Sequence, residues 1–139
     1  MSNHWEVCVH EAGHVVAGFH AGIPVLRAIA YRTFKPGRDL GQTIATSGYC
    51  VTDMRHFTWL MGGHVAEKVV NDRPFPEWIA TSPDYIEAQA RYSDKYETFL
   101  PWTEEFFEAE KATVLRVAEL LRDHKGWCSR ERLKAAVGE

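Results

Sequence analysis

The sequence lacks an excess of positive charge. Its 16 Lys and Arg residues are outnumbered by 19 Asp and Glu residues, which gives a net charge of −3 at neutral pH. Phosphate backbones and anionic lipid surfaces are bound mainly through clusters of basic side chains. We therefore expect no nucleic-acid partner.

Long apolar runs are also missing. A membrane-spanning helix requires about 20 consecutive apolar residues, and the amino terminus shows no basic segment followed by an apolar one. These absences predict a chain without a membrane span, and we expect a soluble, cytoplasmic protein.

Cysteine is scarce and widely spaced. Cys8, Cys50 and Cys128 are odd in number and form no C-x-x-C motif. A disulfide framework and a thiolate zinc site are therefore not indicated. We expect each cysteine to be a small buried side chain.

Local signals predict a mainly helical fold with a small β element, built as a single domain over residues 1–139. Asn3 is expected to cap a first helix that ends before Gly22. Residues 25–34 and 40–46 are rich in β-branched and aromatic side chains, which is typical of two strands in a hairpin.

Caps and prolines mark four further helices. Ser, Thr, Asp and Asn favour the position before a helix, and Pro favours its first turn. The predicted spans are residues 53–71, capped by Asp53; residues 84–94, capped by Ser82 with Pro83 in the first turn; residues 103–124, opened by Pro101; and a short last helix from Ser129.

The most informative motif is His10-Glu11-Ala12-Gly13-His14, within the first predicted helix. Histidines four residues apart stand about 40° apart around a helix axis and one turn apart along it. Both imidazoles can therefore reach one metal ion at the roughly 2.0 to 2.1 Å that zinc requires. Glu11 flanks the pair and can take a proton from a zinc-bound water, which is the general-base role in metallopeptidases.

The other residues of this helix favour a site on one face and the core on the other. Small residues near the histidines either leave room for a substrate or mark close helix packing; they are Gly13, Ala17, Gly18 and Ala21. The side expected to face the core carries Trp5, Cys8, Val9, Ala12, Val15, Val16 and Phe19.

A catalytic zinc site needs a third protein ligand and an open position for water. His20 has the spacing of a metzincin third histidine, but residue 17 is not the glycine that this motif requires. Glu67 suits a glutamate-type zinc site, or a partner that hydrogen-bonds a ligating imidazole. Asp84 begins a predicted helix, where a carboxylate is also favoured by the helix dipole. The local pattern leaves all three candidates open.

A likeness to a known family extends along the chain. Residues 10–17 (HEAGHVVA) resemble the H-E-A-G-H-A-V-V stretch in the peptidase domain of FtsH-type ATP-dependent zinc metalloproteases. Residues 41–43 (GQT) are similar to the family's G-Y-T strand, and residues 62–67 (GGHVAE) to its G-G-R-x-A-E-E helix. Residues 81–91 (TSPDYIEAQAR) resemble its T-G-A-S-N-D-I-x-x-A-T-x-x-A-R segment, and residues 114–133 its terminal helices.

The resemblance implies a zincin-like fold and a zinc endopeptidase. In that family pattern, His10, His14 and Asp84 would bind Zn²⁺, Glu11 would act as the general base, and Glu67 would lie close to the site. An edge strand of the predicted hairpin would bind a protein or peptide substrate in extended form.

The chain also departs from the family. The segment around Asp84 is shorter, His64 replaces an arginine, and Lys68 replaces the second glutamate. The sequence contains no G-x-x-x-x-G-K-[ST] phosphate loop. We therefore expect a peptidase that acts alone on unfolded or flexible segments, or one that works with an ATPase unfoldase in trans. The alternatives are a catalytically silent zinc-binding regulatory module and an exopeptidase.

Overall fold

The computed structural model describes residues 3–31 and 40–138. Within these residues the chain is mainly helical with a small antiparallel sheet, so the predicted combination of helices and a β element is confirmed. The helices are α1 (His4–Ala21), α2 (Asp53–Asn71), α3 (Pro83–Tyr92), α4 (Tyr96–Ala109), α5 (Lys111–Asp123) and α6 (Arg130–Val137). The strands are β1 (Val25–Tyr31), β2 (Leu40–Ala45) and β3 (Cys128–Ser129).

The sheet has the strand order β2-β1-β3, which leaves β2 at one edge of the described strands. Ala28 of β1 lies opposite Thr43, and Ala30 lies opposite Gly41. The two predicted strands match β1 and β2, except that residues 32–34 lie outside the described residues. The sequence does not predict β3, because two residues are too few to show an alternating pattern.

Helix α1 lies at the centre of the molecule. The side predicted to face the core does so, but burial extends around the helix because α2, α5, β1 and β2 all pack against it. A Cβ on Gly13 would overlap the carbonyl oxygen of Gly62, so α2 can approach only because residue 13 has no side chain. A Cβ on Gly18 would lie 2.8 Å from the Trp59 ring. These two glycines of α1 therefore serve close packing.

The predicted ends of α1 are confirmed. The Asn3 side chain accepts a hydrogen bond of 2.8 Å from the backbone of the first turn. Gly22 ends the helix with a φ of 78°, a left-handed conformation that glycine adopts readily. Helix α2 is capped by Thr52, one residue before the predicted Asp53, and the Thr52 hydroxyl accepts a hydrogen bond from the N–H of Arg55.

The prediction of one long helix over residues 103–124 is wrong in two respects. Helix α4 already begins at Tyr96, and Pro101 lies inside it. A proline this close to the start removes a single helical hydrogen bond, while the neighbouring Phe99 is buried in the core and stabilises the turn. The helix also ends at Ala109, and α5 begins after the single residue Glu110. No Gly or Pro marks this break, so the helical spacing of apolar residues continues across it.

The other predicted helices are confirmed with small shifts at their ends. Helix α3 starts at Pro83 as expected, and beyond Tyr92 the chain continues as a short 3-10 helix to Lys95. The Ser129 hydroxyl caps α6 by accepting a hydrogen bond from the N–H of Arg132. In the described parts of the chain, no helix combines the length and the apolar character that a bilayer crossing requires.

The cysteines follow the prediction in two cases of three. Cys8 and Cys128 are buried, whereas Cys50 is exposed. Cys50 lies in the loop between β2 and α2, in which residues 46–48 and 52 are also exposed, so its expected burial is wrong.

Candidate metal centre

Helix α1 presents His10 and His14 on the same side, one turn apart. Their Nε2 atoms lie 3.3 Å from each other. The spacing of four residues predicts this meeting of the two rings, because a helix places such residues one above the other.

Asp84 reaches the same point from the first turn of α3, 70 residues beyond His14. Its Oδ2 lies 3.1 Å from Nε2 of His14 and 3.5 Å from Nε2 of His10. Three ligand-type atoms therefore form a triangle with edges of 3.1, 3.3 and 3.5 Å.

This triangle has the dimensions of one face of a zinc coordination tetrahedron. With zinc bonds of roughly 2.0 to 2.1 Å, neighbouring ligand atoms lie about 3.3 to 3.4 Å apart. Imidazole nitrogen and carboxylate oxygen are both donors that zinc accepts, and a catalytic site has three protein ligands with a fourth position for water. The three side chains thus fit a tetrahedral metal site with one open position.

Hydrogen bonds on the far side of each ring set the tautomers. Nδ1 of His10 donates to Oε2 of Glu67 at 3.1 Å, and Nδ1 of His14 donates to the carbonyl oxygen of Trp59 at 2.8 Å. With the proton on Nδ1, a neutral ring turns its Nε2 lone pair inward, towards the Asp84 carboxylate. Three acceptors that point at one another require a cation between them, either a metal ion or a proton.

The electrostatics of the centre also favour a positive charge. Burial alone would raise the pKa of Asp84, but hydrogen bonding and electrostatic attraction by the imidazoles of His10 and His14 hold it well below its usual range. Burial would lower the pKa of His10, yet hydrogen bonds with Asp84 and Glu67 and the charge of Glu11 raise it to about 10. Both directions favour an ionised aspartate with a cation beside it.

Glu11 lies beside the triangle without belonging to it. Its side chain is buried, and Oε1 accepts a hydrogen bond of 2.7 Å from the Thr43 hydroxyl on β2. Two cavities, of about 260 and about 330 Å³, meet here and share His10, Glu11, Gly41 and Asp84 in their walls. A carboxylate next to the metal position, open to both cavities, can exchange a proton with a molecule bound there.

His64, which the HExxH motif does not include, is a second candidate ligand. It forms a wider group with His10 and Asp84, whose ligand atoms spread over up to 4.8 Å. That spread exceeds the edge of a zinc tetrahedron, and Nε2 of His64 is already hydrogen-bonded to the Ser82 hydroxyl at 2.6 Å. Burial and the positive charge of His10 lower the pKa of His64 to about 3, so the ring is neutral. The compact triangle with His14 is therefore the better metal site.

The two other candidates for a third ligand have different partners. Glu67 accepts the hydrogen bond from Nδ1 of His10, so it supports a ligating ring instead of facing the ion. His20 is half exposed, and its Nε2 contacts a Glu110 carboxylate oxygen at 3.2 Å. Of the three candidates, the structure brings Asp84 to the two Nε2 atoms.

Gly63 provides the space that His10 occupies beside α2, and we expect metal binding to depend on it. A Cβ at residue 63 would overlap the imidazole of His10. Alanine favours a helix by about 1 kcal/mol over glycine, so Gly63→Ala should keep the helix. It should displace the ring and weaken zinc binding roughly tenfold or more. Competition with a chromophoric chelator measures the affinity, and far-ultraviolet circular dichroism checks the fold. An unchanged affinity would mean that the ring does not need this space.

Two comparisons with known proteins found no match. No protein-family model matches this chain, and a search of curated proteins finds no significant match. The likeness to the FtsH-type peptidase domain therefore remains a resemblance in the residues quoted above.

Proposed function

We propose that this chain is a zinc-dependent metalloendopeptidase with a zincin-like fold. The observation that carries the proposal is the triangle of His10 Nε2, His14 Nε2 and Asp84 Oδ2, which lies beside the buried carboxylate of Glu11. Two histidines of an HExxH helix with a carboxylate as third ligand suit a catalytic zinc. The resemblance to the FtsH-type peptidase domain implies the same four residues.

In this proposal the ligands hold the ion and Glu11 moves the proton. When bound, Zn²⁺ would supply the Lewis acid that activates the water and polarises the scissile carbonyl. The water oxygen forms a bond to the carbonyl carbon while its proton passes to the Glu11 carboxylate. Glu11 then donates that proton to the amide nitrogen as the carbon–nitrogen bond breaks. The second proton of the water leaves with the new carboxyl group.

The edge strand β2 supports binding of an extended substrate. Gly41 and Thr43 of this strand line the cavities that meet at Glu11. An extended peptide can pair with a strand edge through backbone hydrogen bonds, with side chains directed to alternate sides. Such pairing requires an unfolded or flexible segment, so we propose these as substrates. An ATPase unfoldase in trans would be the partner for folded substrates.

One observation favours a second function, a zinc-stabilised binding or regulatory module. His64 lies next to the triangle and carries a buried Nδ1 without a hydrogen-bond partner among the described residues. If His64 moved to the fourth position, the site would have four protein ligands. Structural zinc sites are closed in this way, and they leave no position for water.

Zinc content and cleavage of an unfolded protein test the proposal together. We expect one zinc per chain by elemental analysis, and internal cleavage of a reduced, carboxymethylated protein substrate. Removal of the metal with a chelator should abolish cleavage, and one equivalent of zinc should restore it, because the Lewis acid is part of the site. Mass spectrometry of the products distinguishes internal fragments from single residues released at a chain end, which an exopeptidase would produce.

The other outcomes point to different functions. One zinc per chain with no turnover of any unfolded substrate would favour the binding module. A chain that takes up no zinc in a zinc-supplemented preparation would contradict both functions, since each depends on the same ion.

A further inference from the structure

Strand β2 holds the side chain of Glu11 from one side. The Thr43 hydroxyl donates a hydrogen bond of 2.7 Å to Oε1, and it lies 3.4 Å from the backbone oxygen of the same residue. Glu11 as a residue is 6% exposed, so this contact is made largely out of water. A hydrogen bond from a hydroxyl to a buried carboxylate is shorter and stronger than one between neutral groups.

Gly41 leaves room for the same carboxylate two residues earlier in the strand. A Cβ at Gly41 would lie 2.6 Å from Cγ and 2.8 Å from Oε2 of Glu11, and 2.7 Å from a methyl group of Val7. Any side chain at residue 41 would therefore push Glu11 away from β2. Gly41 leaves space for the Glu11 side chain and Thr43 hydrogen-bonds to it. Both residues of β2 therefore favour one arrangement of that side chain.

We infer that Thr43 is a positioning residue for Glu11: its hydroxyl holds Oε1 and leaves Oε2 free to exchange the proton. The inference rests on the proposed function for the role of Glu11 as a general base. Among the described residues, hydrogen bonds to this carboxylate reach Oε1 only. A base that is held in one rotamer enters the reaction already oriented, which lowers the entropic cost of reaching the transition state.

This arrangement links the base to the strand that would bind substrate. Gly41 and Thr43 belong to β2, which lies at one edge of the sheet formed by the described strands. A peptide paired along β2 would therefore be placed in register with the carboxylate that Thr43 holds. The hydroxyl acts on the chemical step through Glu11, and it does not contact the three ligand atoms.

Replacement of the hydroxyl by a methyl group tests the role in turnover. Thr43→Val is nearly isosteric, and we expect kcat to fall roughly tenfold while KM and zinc affinity stay within about threefold, because only the orientation of the base is lost. Thr43→Ser keeps the hydroxyl and should restore most of kcat. Thr46→Val is the matched control, since Thr46 is an exposed threonine just after the same strand. This control should leave kcat unchanged.

A double-mutant cycle tests the contact without using activity. Unfolding of the zinc-loaded protein by urea is measured at fixed free zinc for the wild type, Thr43→Val, Glu11→Met and the double variant. Methionine cannot accept the hydrogen bond. Thr43→Val should therefore change the unfolding equilibrium constant roughly fivefold more when residue 11 is glutamate than when it is methionine. Equal effects in the two backgrounds would overturn the inference.

The results also separate this inference from the proposed function. If the wild type cleaves substrate and Thr43→Val keeps full kcat, the positioning role is overturned while the peptidase remains. If the wild type cleaves nothing, the proposed function fails, and the cycle still decides whether Thr43 holds Glu11. The inference is supported in full if the cycle shows coupling between Thr43 and Glu11 and if Thr43→Ser restores kcat.

Discussion

Zinc-loaded protein that carries Glu11→Gln is expected to keep its metal and to cleave unfolded protein about 10³-fold more slowly. A positioned general base contributes roughly 10²- to 10⁴-fold to a rate, and glutamine cannot take a proton from water at neutral pH. Glutamine has the shape of glutamate, and its carbonyl oxygen can still accept the hydrogen bond from Thr43. The fold and the ligand triangle should therefore remain.

Glu67→Gln is the matched control for this experiment, because it alters the carboxylate that accepts a hydrogen bond from the ligand His10. It should weaken zinc binding about 10- to 100-fold, as changes to the partners of metal ligands do, while cleavage at saturating zinc stays near the wild-type level. The two variants thus separate proton transfer from metal binding. Cleavage by Glu11→Gln at the wild-type rate would remove the proposed mechanism.

The parts of the site that follow from the sequence are those within one helical turn. His10 and His14 meet because the spacing of four residues, the Asn3 cap and the Gly22 end all agree on a single helix. Asp84 is different, since the sequence alone offers two other third ligands. Only the packing of α3 against α2 places its carboxylate at the two imidazoles.

Residues that support the site are harder to predict from the sequence for the same reason. His64, Gly63 and Thr43 act through contacts between elements that are far apart in the chain, and none of them has a local signature of its own. Ser82 shows how a local rule can mislead. It precedes α3 as an expected cap, but its hydroxyl is bonded to His64, and its side chain makes no cap hydrogen bond.

In the fold, too, features set by the local sequence can be predicted, whereas features set by packing between distant elements cannot. The sequence predicts helix ends that carry a cap or a glycine to within about two residues, because the signal lies in the neighbouring backbone. The break at Glu110 and the two-residue strand β3 depend on how α5 and α6 pack against the rest of the chain. Such packing leaves no mark in the local sequence, which is why the sequence predicts one helix where the structure has two.

His14→Gln and His64→Gln are expected to differ strongly in zinc affinity, and this pair decides which imidazole completes the metal site. The first variant removes an atom of the triangle whose edges are 3.1 to 3.5 Å. Structural zinc contributes about 10 to 16 kcal/mol over four ligands, or roughly 3 kcal/mol for each, so one lost ligand should cost about 10²- to 10³-fold in affinity. His64→Gln should lower the zinc affinity by less than about tenfold. Its ring is hydrogen-bonded to Ser82 and belongs only to the wider group with His10 and Asp84.

Titration against a chromophoric chelator measures both affinities, and urea unfolding of the metal-free variants checks that neither substitution prevents folding. A Co²⁺-loaded sample provides a second reading, because the ligand-field spectrum reports the coordination number directly. If His64→Gln lost zinc and His14→Gln kept full zinc binding, the imidazole of His64 would be the ligand in place of that of His14. Losses of similar size in both would indicate four protein ligands, and a closed site of that kind would favour the regulatory module over the peptidase.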